Sequence, residues 1–389
     1  MRPLSGLRVI DFGHVWAGPY CAATLADLGA EVIKVESPTR LDVHRRQGPY
    51  PDDRPGVNRS GVWNAQNRNK KSVCLDLSDP DDRERAKVLV RQSDVVIENF
   101  SPGVMTKLGL DYAALREVKP DIIMASLSAF GQEGPQSKYV GYGPSLDAWS
   151  GLCSLNAYSD QIPQALGGMF PDTSSALYAA FAIMSALRER DATGNGSYID
   201  LSELEVSILL LSDILVQFPG EEIPAAYVGA GDPFFFPHGT YACSGDDEWI
   251  AISVEDDRSW LGLCDVLNKR GWSEDHQLRS VEGRRAKAEE IDSAIRGWTA
   301  SHSMRDAFKQ LQARGVPAGM ALTIADMLDD EHYRARRFFH ELSHPEVGTH
   351  TIYAPIWRFD DEAGELRPAP LLGQDTEDVL TSLATIFRS

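Results

Sequence analysis

Five short runs rich in valine and isoleucine, Leu7–Phe12, Glu31–Glu36, Ser72–Leu77, Asp94–Phe100 and Asp121–Leu127, alternate with helix-length segments at the start of the chain. This alternation is the signature of a parallel sheet with helical crossovers. The first crossover reads clearly: Pro19 suits a first helical turn and Gly29 suits the C-terminal cap. A second helix opens at Ser78-Asp79-Pro80, a capping residue followed by proline, and runs towards Gln92. These are Rossmann-type units.

Downstream, Thr173–Arg190 is an alanine-rich helical stretch, closed by the turn cluster 191–196, which feeds a strand over Ser197–Leu201. An apolar helix follows from about Glu203 to Gln217. After Pro219 the character changes, with Gly229-Ala230-Gly231 and three consecutive phenylalanines, Phe234–Phe236, preceding a new set of strands. From Gly239 to about Leu328 the pattern is that of a smaller α+β unit. Its strands are expected at Gly239–Cys243 and Trp249–Val254, and its helices at Ser259–Asn268, Lys287–Thr299 and Ser303–Ala313. A strand over Thr349–Ala354 and a final helix from Asp375 complete the chain. Since single cores stop growing at roughly 250–300 residues, 389 residues imply more than one domain. The expected fold is α/β: a Rossmann-like large domain built from residues 1–220 and the returning segment 331–389, with a small α+β domain over 221–330 inserted between them.

Charge excludes some partners. Lysine plus arginine against aspartate plus glutamate gives 38 − 57 = −19, a field that repels nucleic-acid phosphates and anionic membranes. An anionic ligand would need a local basic island. The five cysteines carry no C-x-x-C pair and no zinc spacing, and no apolar run approaches a membrane span, so a reducing, cytoplasmic location is expected and no metal site.

The turn Gly13-His14-Val15-Trp16-Ala17-Gly18-Pro19 follows the first strand, where such folds cradle phosphates. It lacks G-x-G-x-x-G, and Pro19 and Tyr20 stand where a P-loop needs lysine and a hydroxyl residue. Neither G-x-S-x-G nor H-E-x-x-H occurs. His14 lies at the strand's carboxyl end; a ligand contact and a histidine satisfied by loop backbone are both open at this stage.

Six segments in order carry a resemblance: Leu4–Asp11 running to Ala17-Gly18-Pro19, Leu28–Glu36, Asn69-Lys70-Lys71-Ser72, Glu98–Gly103, Gly168-Met169-Phe170-Pro171-Asp172, and Gly373-Gln374. Together they resemble the class III (CaiB/BaiF type) coenzyme A transferases, the family of formyl-CoA and crotonobetainyl-CoA:carnitine CoA-transferases, over nearly the whole chain. The resemblance implies that acyl-CoA and carboxylic acids are the substrates, that no cofactor is permanently bound, and that the protein is an interlocked homodimer. It also implies that Asp172 is the nucleophile, passing the acyl group and then CoA through covalent aspartyl intermediates. From spacing alone, Asp172 reads first as a helix N-cap, and it is the flanking resemblance that turns the reading to a nucleophile. By family position, Lys70, Asn99 and Phe100 line the coenzyme cleft, with His14, Val15, Trp16 and Ala17 beside the pantetheine. Arg45, Lys107 and Tyr142 complete the expected contacts, and backbone amides near Gly168 are expected beside the developing oxyanion. Arg46, Arg68, Lys71 and Lys138 are further basic candidates, each also readable as a solvated surface charge.

Three departures shape these expectations. Trp16 replaces the glutamine of formyl-CoA transferases and should reshape the acyl pocket, disfavouring formate and oxalate. Ser37 removes an arginine, for which Arg40 or Arg45 could substitute. Lys107 replaces an arginine and loses its bidentate fork. Gly229-Ala230-Gly231 matches the family's glycine-rich lid in part, and Trp16 with Phe234–Phe236 hints at a larger or aromatic acyl group, against ordinary packing. The same family holds α-methylacyl-CoA racemases, whose acid/base histidine would fall in Val140–Pro144, where this chain has Tyr142. Racemisation is the alternative, intramolecular CoA transfer would use Asp172 equally well, and a non-enzymatic acyl-CoA binding protein would not need Asp172 at all.

Overall fold

The computed structural model describes residues 2–156, 162–167, 169–217, 232, 234–360 and 365–386, with 383–386 by backbone alone. The chain divides into two compact units, Met1–Leu152 with Ala165–Ser212 and Glu331–Ser389, and Cys153–Gln164 with Asp213–Asp330.

In the larger unit, β1 (Arg8–Asp11), β2 (Glu31–Glu36), β3 (Lys70–Cys74), β4 (Val95–Glu98), β5 (Ile123–Ser128) and β6 (Tyr198–Ser202) form one sheet in the order β3-β2-β1-β4-β5-β6. All neighbours pair in parallel. Alternate residues feed two cores, as the strand period of two requires. Val9, Val32, Val95, Ile97, Ala125 and Leu127 meet the helices Ala17–Asp27 and Phe170–Thr193 on one face. Ile10, Ile33, Val35, Val73, Val96 and Met124 meet the helices Pro80–Arg91 and Tyr112–Val118 on the other. Each such valine, isoleucine, leucine or methionine contributes about 1.5–3 kcal/mol by leaving water. The chain reverses direction across the sheet between β1 and β4, the switch point at whose carboxyl edge ligands bind in such folds.

The smaller unit holds β7 (His238–Ala242), β8 (Trp249–Ser253) and β9 (Ala318–Met320), antiparallel, packed by the helices Asp257–Val266, Ala288–Thr299 and Met304–Ala313. Phe236 joins that core, so one of the three phenylalanines is packing, whereas Phe234 is 60% exposed. A hairpin of β10 (Phe339–His344) and β11 (Gly348–Tyr353) belongs to the larger unit, as does the closing helix Thr376–Ile386.

Five elements differ from the sequence expectation. β3 begins two residues before Ser72, because Lys70 and Lys71, which look like loop residues, are neutralised by Asp11 and Glu31. The Glu203–Gln217 helix is broken into Glu203–Leu209 and Ser212–Gln217. The short β9 and the polar β10 carried no apolar signal. The long helix starts at Phe170, with Met169 in the cap position, so Asp172 is its third residue and not its cap.

Candidate active site

The turn after β1 is built by a buried charge network. Asp11 accepts from Lys70 Nζ at 2.8 Å, and Lys34 Nζ lies 3.5 Å from its other oxygen; all three side chains are fully buried. Lys34 also donates to the Gly13 carbonyl, and Lys70 to the Pro19 carbonyl and Asn67 Oδ1 at 2.7 and 2.9 Å. Burial pushes the Asp11 carboxyl up, but the two ammonium groups more than offset it and hold it below the ordinary range. Gly13 and Gly18 touch back to back: a Cβ on either would meet the other's Cα at 2.9–3.0 Å. Asn99, just beyond β4, clamps the turn by accepting from the His14 amide at 2.7 Å and donating to its carbonyl at 2.8 Å. Val15 is held at φ 63°, a costly conformation for a β-branched residue, and its amide donates to Asp42 Oδ2 at 3.0 Å.

Two cavities flank this turn. One, of about 190 Å³, is lined by the apolar Phe12, Val35, Leu75 and Leu77 together with His14, Phe100, Ser37 and Arg40. The His14 and Phe100 rings contact at 5.3 Å. Burial, then the nearby Lys34 charge, keep His14 below its usual value and so favour the neutral ring.

The second cavity, of about 230 Å³, is lined by Val15, Phe100, Ser128, Tyr142, Asp172 and Glu203. It draws on the carboxyl ends of β1, β4, β5 and β6 and on the first turn of the Phe170–Thr193 helix. Asp172 is 8% exposed, and its Oδ2 has no hydrogen-bond partner. Burial raises its carboxyl to about 6, the Asp147 charge adding to the shift and its own amide opposing it. Glu203 is raised further, to about 8, by burial and then by the Asp172 charge. Asp147 is raised by burial, with the Leu166 amide opposing. No lysine, arginine or histidine forms an ion pair with any of these three carboxyls among the described residues, and they are not disposed to hold a metal ion.

The structure brings His14, Val15, Asn99, Phe100, Tyr142 and Asp172 together around these cavities. Trp16 donates from Nε1 to Thr173 Oγ1 at 3.0 Å, tying the turn to the residue after Asp172. Lys107 is exposed on the Val104–Leu108 helix, whose first and last residues line the apolar cavity.

Three expected coenzyme contacts lie elsewhere. Lys70 is buried, with its ammonium donating to three protein oxygens. Arg45 is 1% exposed, paired to both Glu36 oxygens at 2.6 and 2.8 Å and stacked 3.8 Å over the Trp63 ring. Ala17 is 1% exposed in the core beneath the turn. Arg68 and Lys71 are likewise paired, with Asp27 and Glu31. Of the two substitutes weighed for the arginine lost at Ser37, Arg40 alone faces the cavity. Gly168 itself and Gly229-Ala230-Gly231 lie outside the described residues, and the nearby Phe170 amide donates to the Gly167 carbonyl at 3.2 Å. Sequence reasoning missed Ser128, Asp147 and Glu203. Glu203 is legible only as the first residue of a helix, and nothing local marks it as facing Asp172.

Comparison with known proteins agrees with this geometry. The family model of CoA-transferase family III matches residues 4–376. The chain is 32% identical to a succinate–glutarate CoA-transferase of Agrobacterium fabrum, covering 100% of this chain and 97% of the relative. It is 30% identical to a succinyl-CoA–D-citramalate CoA-transferase of Chloroflexus aurantiacus, covering 98% and 94%. A crystal structure of a CaiB/BaiF family protein from Brucella suis superposes with a TM-score of 0.85 at 30% identity, covering 98% and 99%. With a matching sheet, switch-point cavities and whole-length relatives, the chain belongs to CoA-transferase family III, and the protein is a CoA-transferase.

Proposed function

We propose that the protein moves coenzyme A from an acyl-CoA donor to a carboxylic acid through covalent intermediates on Asp172. The observation that carries this reading is the buried Asp172 carboxyl, one oxygen unpartnered, facing a cavity at the switch point. In the first step the carboxylate attacks the thioester carbonyl and the C–S bond breaks, giving a mixed anhydride and CoA thiolate. The thiolate then attacks the aspartyl carbonyl, releasing the donor acid and leaving an aspartyl-CoA thioester. The acceptor carboxylate reverses both steps. A carboxyl held near 6 is mostly ionised at neutral pH, as the attack requires. Its desolvation favours attack on a thioester.

The apolar cavity is assigned to the coenzyme, with Arg40 and exposed Lys107 the cations offered to its phosphates and the neutral His14 ring and Phe100 beside the pantetheine arm. Tyr142 is assigned to the acyl group. The 221–330 segment is assigned as a separate small domain. A homodimer is supported by Leu177, Tyr178 and Phe181, 41–67% exposed on the nucleophile's helix, and a stable monomer in sedimentation would refute it. A cytoplasmic setting is supported by five free cysteines, and no helix among the described residues is long and apolar enough to cross a membrane. Racemisation is disfavoured because no histidine lines the Asp172 cavity among the described residues.

The test is an exchange assay read by mass spectrometry, with succinyl-CoA as donor, pooled carboxylic acids as acceptors and Asp172→Ala in parallel. A new acyl-CoA from the wild type alone supports the reading. Deuterium uptake beside the thioester of a branched acyl-CoA, without exchange, would replace it by the racemase.

A further inference from the structure

Two buried hydrogen-bonding side chains face the Asp172 cavity without a role in the reaction as written, and both come from strand ends. Ser128, the last residue of β5, is 7% exposed and its Oγ has no hydrogen-bond partner. Glu203, the residue after β6, is 7% exposed and has no ion-pair partner among the described residues. An orphaned buried hydroxyl and a buried, uncompensated carboxyl are costly in a finished core, and both are satisfied when a ligand oxygen enters between them.

The charge that acts on Glu203 is that of Asp172, on the Phe170–Thr193 helix; Asp147, on the Gly143–Ser150 helix, acts in turn on Asp172. Tyr139 and Tyr142 come from the segment before that helix. Asp200, on β6 itself, is committed to the Gln132 amide at 3.0–3.1 Å, and Glu205, on the same helix as Glu203, points to solvent. There is no cation in this set. With one negative charge on Asp172, a second on the buried Glu203 would have no counter-ion among the described residues to stabilise it.

We propose that Glu203 is a second functional carboxyl of this site: it stands protonated beside the Asp172 carboxylate, donates a hydrogen bond to an oxygen of the incoming carboxylate or thioester together with Ser128 Oγ, and closes the site to carboxylates when it ionises. This rests on Asp172 being the nucleophile. It assigns the site a working window: Asp172 must lose its proton and Glu203 must keep one. Below about 6 the nucleophile is protonated, and above about 8 a second negative charge repels both the acceptor anion and the departing thiolate.

The experiment follows adduct formation on the full-length protein by intact-mass spectrometry, with succinyl-CoA, from pH 5 to 10, in wild type, Glu203→Gln and Asp172→Ala. The wild-type rate is expected to rise through the lower value and fall about tenfold per pH unit above the upper one. Glu203→Gln is expected to keep the rise and lose the fall. An unchanged falling limb in Glu203→Gln overturns the inference and leaves the nucleophile assignment standing. Adducts persisting in Asp172→Ala overturn the nucleophile assignment itself. Should Glu203→Gln not fold, carbon-13 NMR of protein labelled at the glutamate carboxyl decides independently. Two glutamates are expected to titrate well above the ordinary range, Glu98 and Glu203, and Asp172→Asn is expected to move one of them down by removing its like-charged neighbour. If neither moves, the proposal fails.

Discussion

The carboxyl edge of the sheet holds two buried clusters of ionisable groups that obey opposite rules. Beneath the β1 turn two buried carboxylates have their cations, Asp11 with Lys34 and Lys70 and Glu36 with Arg45, and Asp27 is paired in the same way with Arg68 near the start of β3. At the far side of the same turn, Asp172, Asp147 and Glu203 share a region with no ion-pair partner among the described residues. The first cluster is closed by protein atoms and can only hold shape, while the second keeps unused bonding capacity and can act. Between these two clusters burial does not separate a structural charge from a functional one, and pairing does.

The contrast is broken most directly by removing one carboxylate from each cluster. Asp172→Ala is expected to lower CoA exchange at least about 10³-fold, and to raise the melting temperature, because a buried carboxyl with no counter-ion among the described residues leaves. Asp11→Ala is expected to destabilise by about 3–5 kcal/mol in denaturant unfolding, since two buried ammonium groups lose their anion. If both variants lost stability alike, the distinction would fail. Arg45→Ala tests a residue placed in the coenzyme cleft by sequence and in the interior by structure. It is expected to cost roughly 3 kcal/mol through the unpaired Glu36, with CoA affinity of the folded fraction unchanged in calorimetry.

A smaller effect comes from Glu98, whose carboxyl burial raises to about 7. The folded state therefore favours the protonated form. Stability is full below the unfolded-state value and is lost as pH rises through the interval up to the folded one. Glu98→Gln, which keeps an acceptor for the Phe100 amide, should flatten that loss, of order 1–3 kcal/mol between pH 5 and 8, in denaturation at the two pH values. Smallest is Trp16→Phe. Losing the Nε1–Thr173 bond should cost about 1 kcal/mol and alter the ratio of rates for small and large acceptor acids in a competition assay.

The alternation of apolar runs with helix-length segments determined the parallel sheet, because strands buried on both faces must be apolar throughout. His14 was noticed because it follows β1 at the strand's carboxyl end, whereas Asp172, Asn99 and Phe100 were picked out only through the segments that resemble the family, spacing alone giving Asp172 the look of a helix cap. The fates of Lys70 and Arg45 were not legible, since a lysine's meaning depends on whether a carboxylate from another strand meets it, and Asp11 and Glu36 are brought there only by the pairing of β1, β2 and β3. Glu203 joined Asp172 through the same dependence on distant chain. Sequence determined which segments lie in the core and which turns stand at its edge. The tertiary structure alone decided which buried charges are neutralised and which are left free to react, because an electrostatic partner is chosen by distance in space and not by distance along the chain.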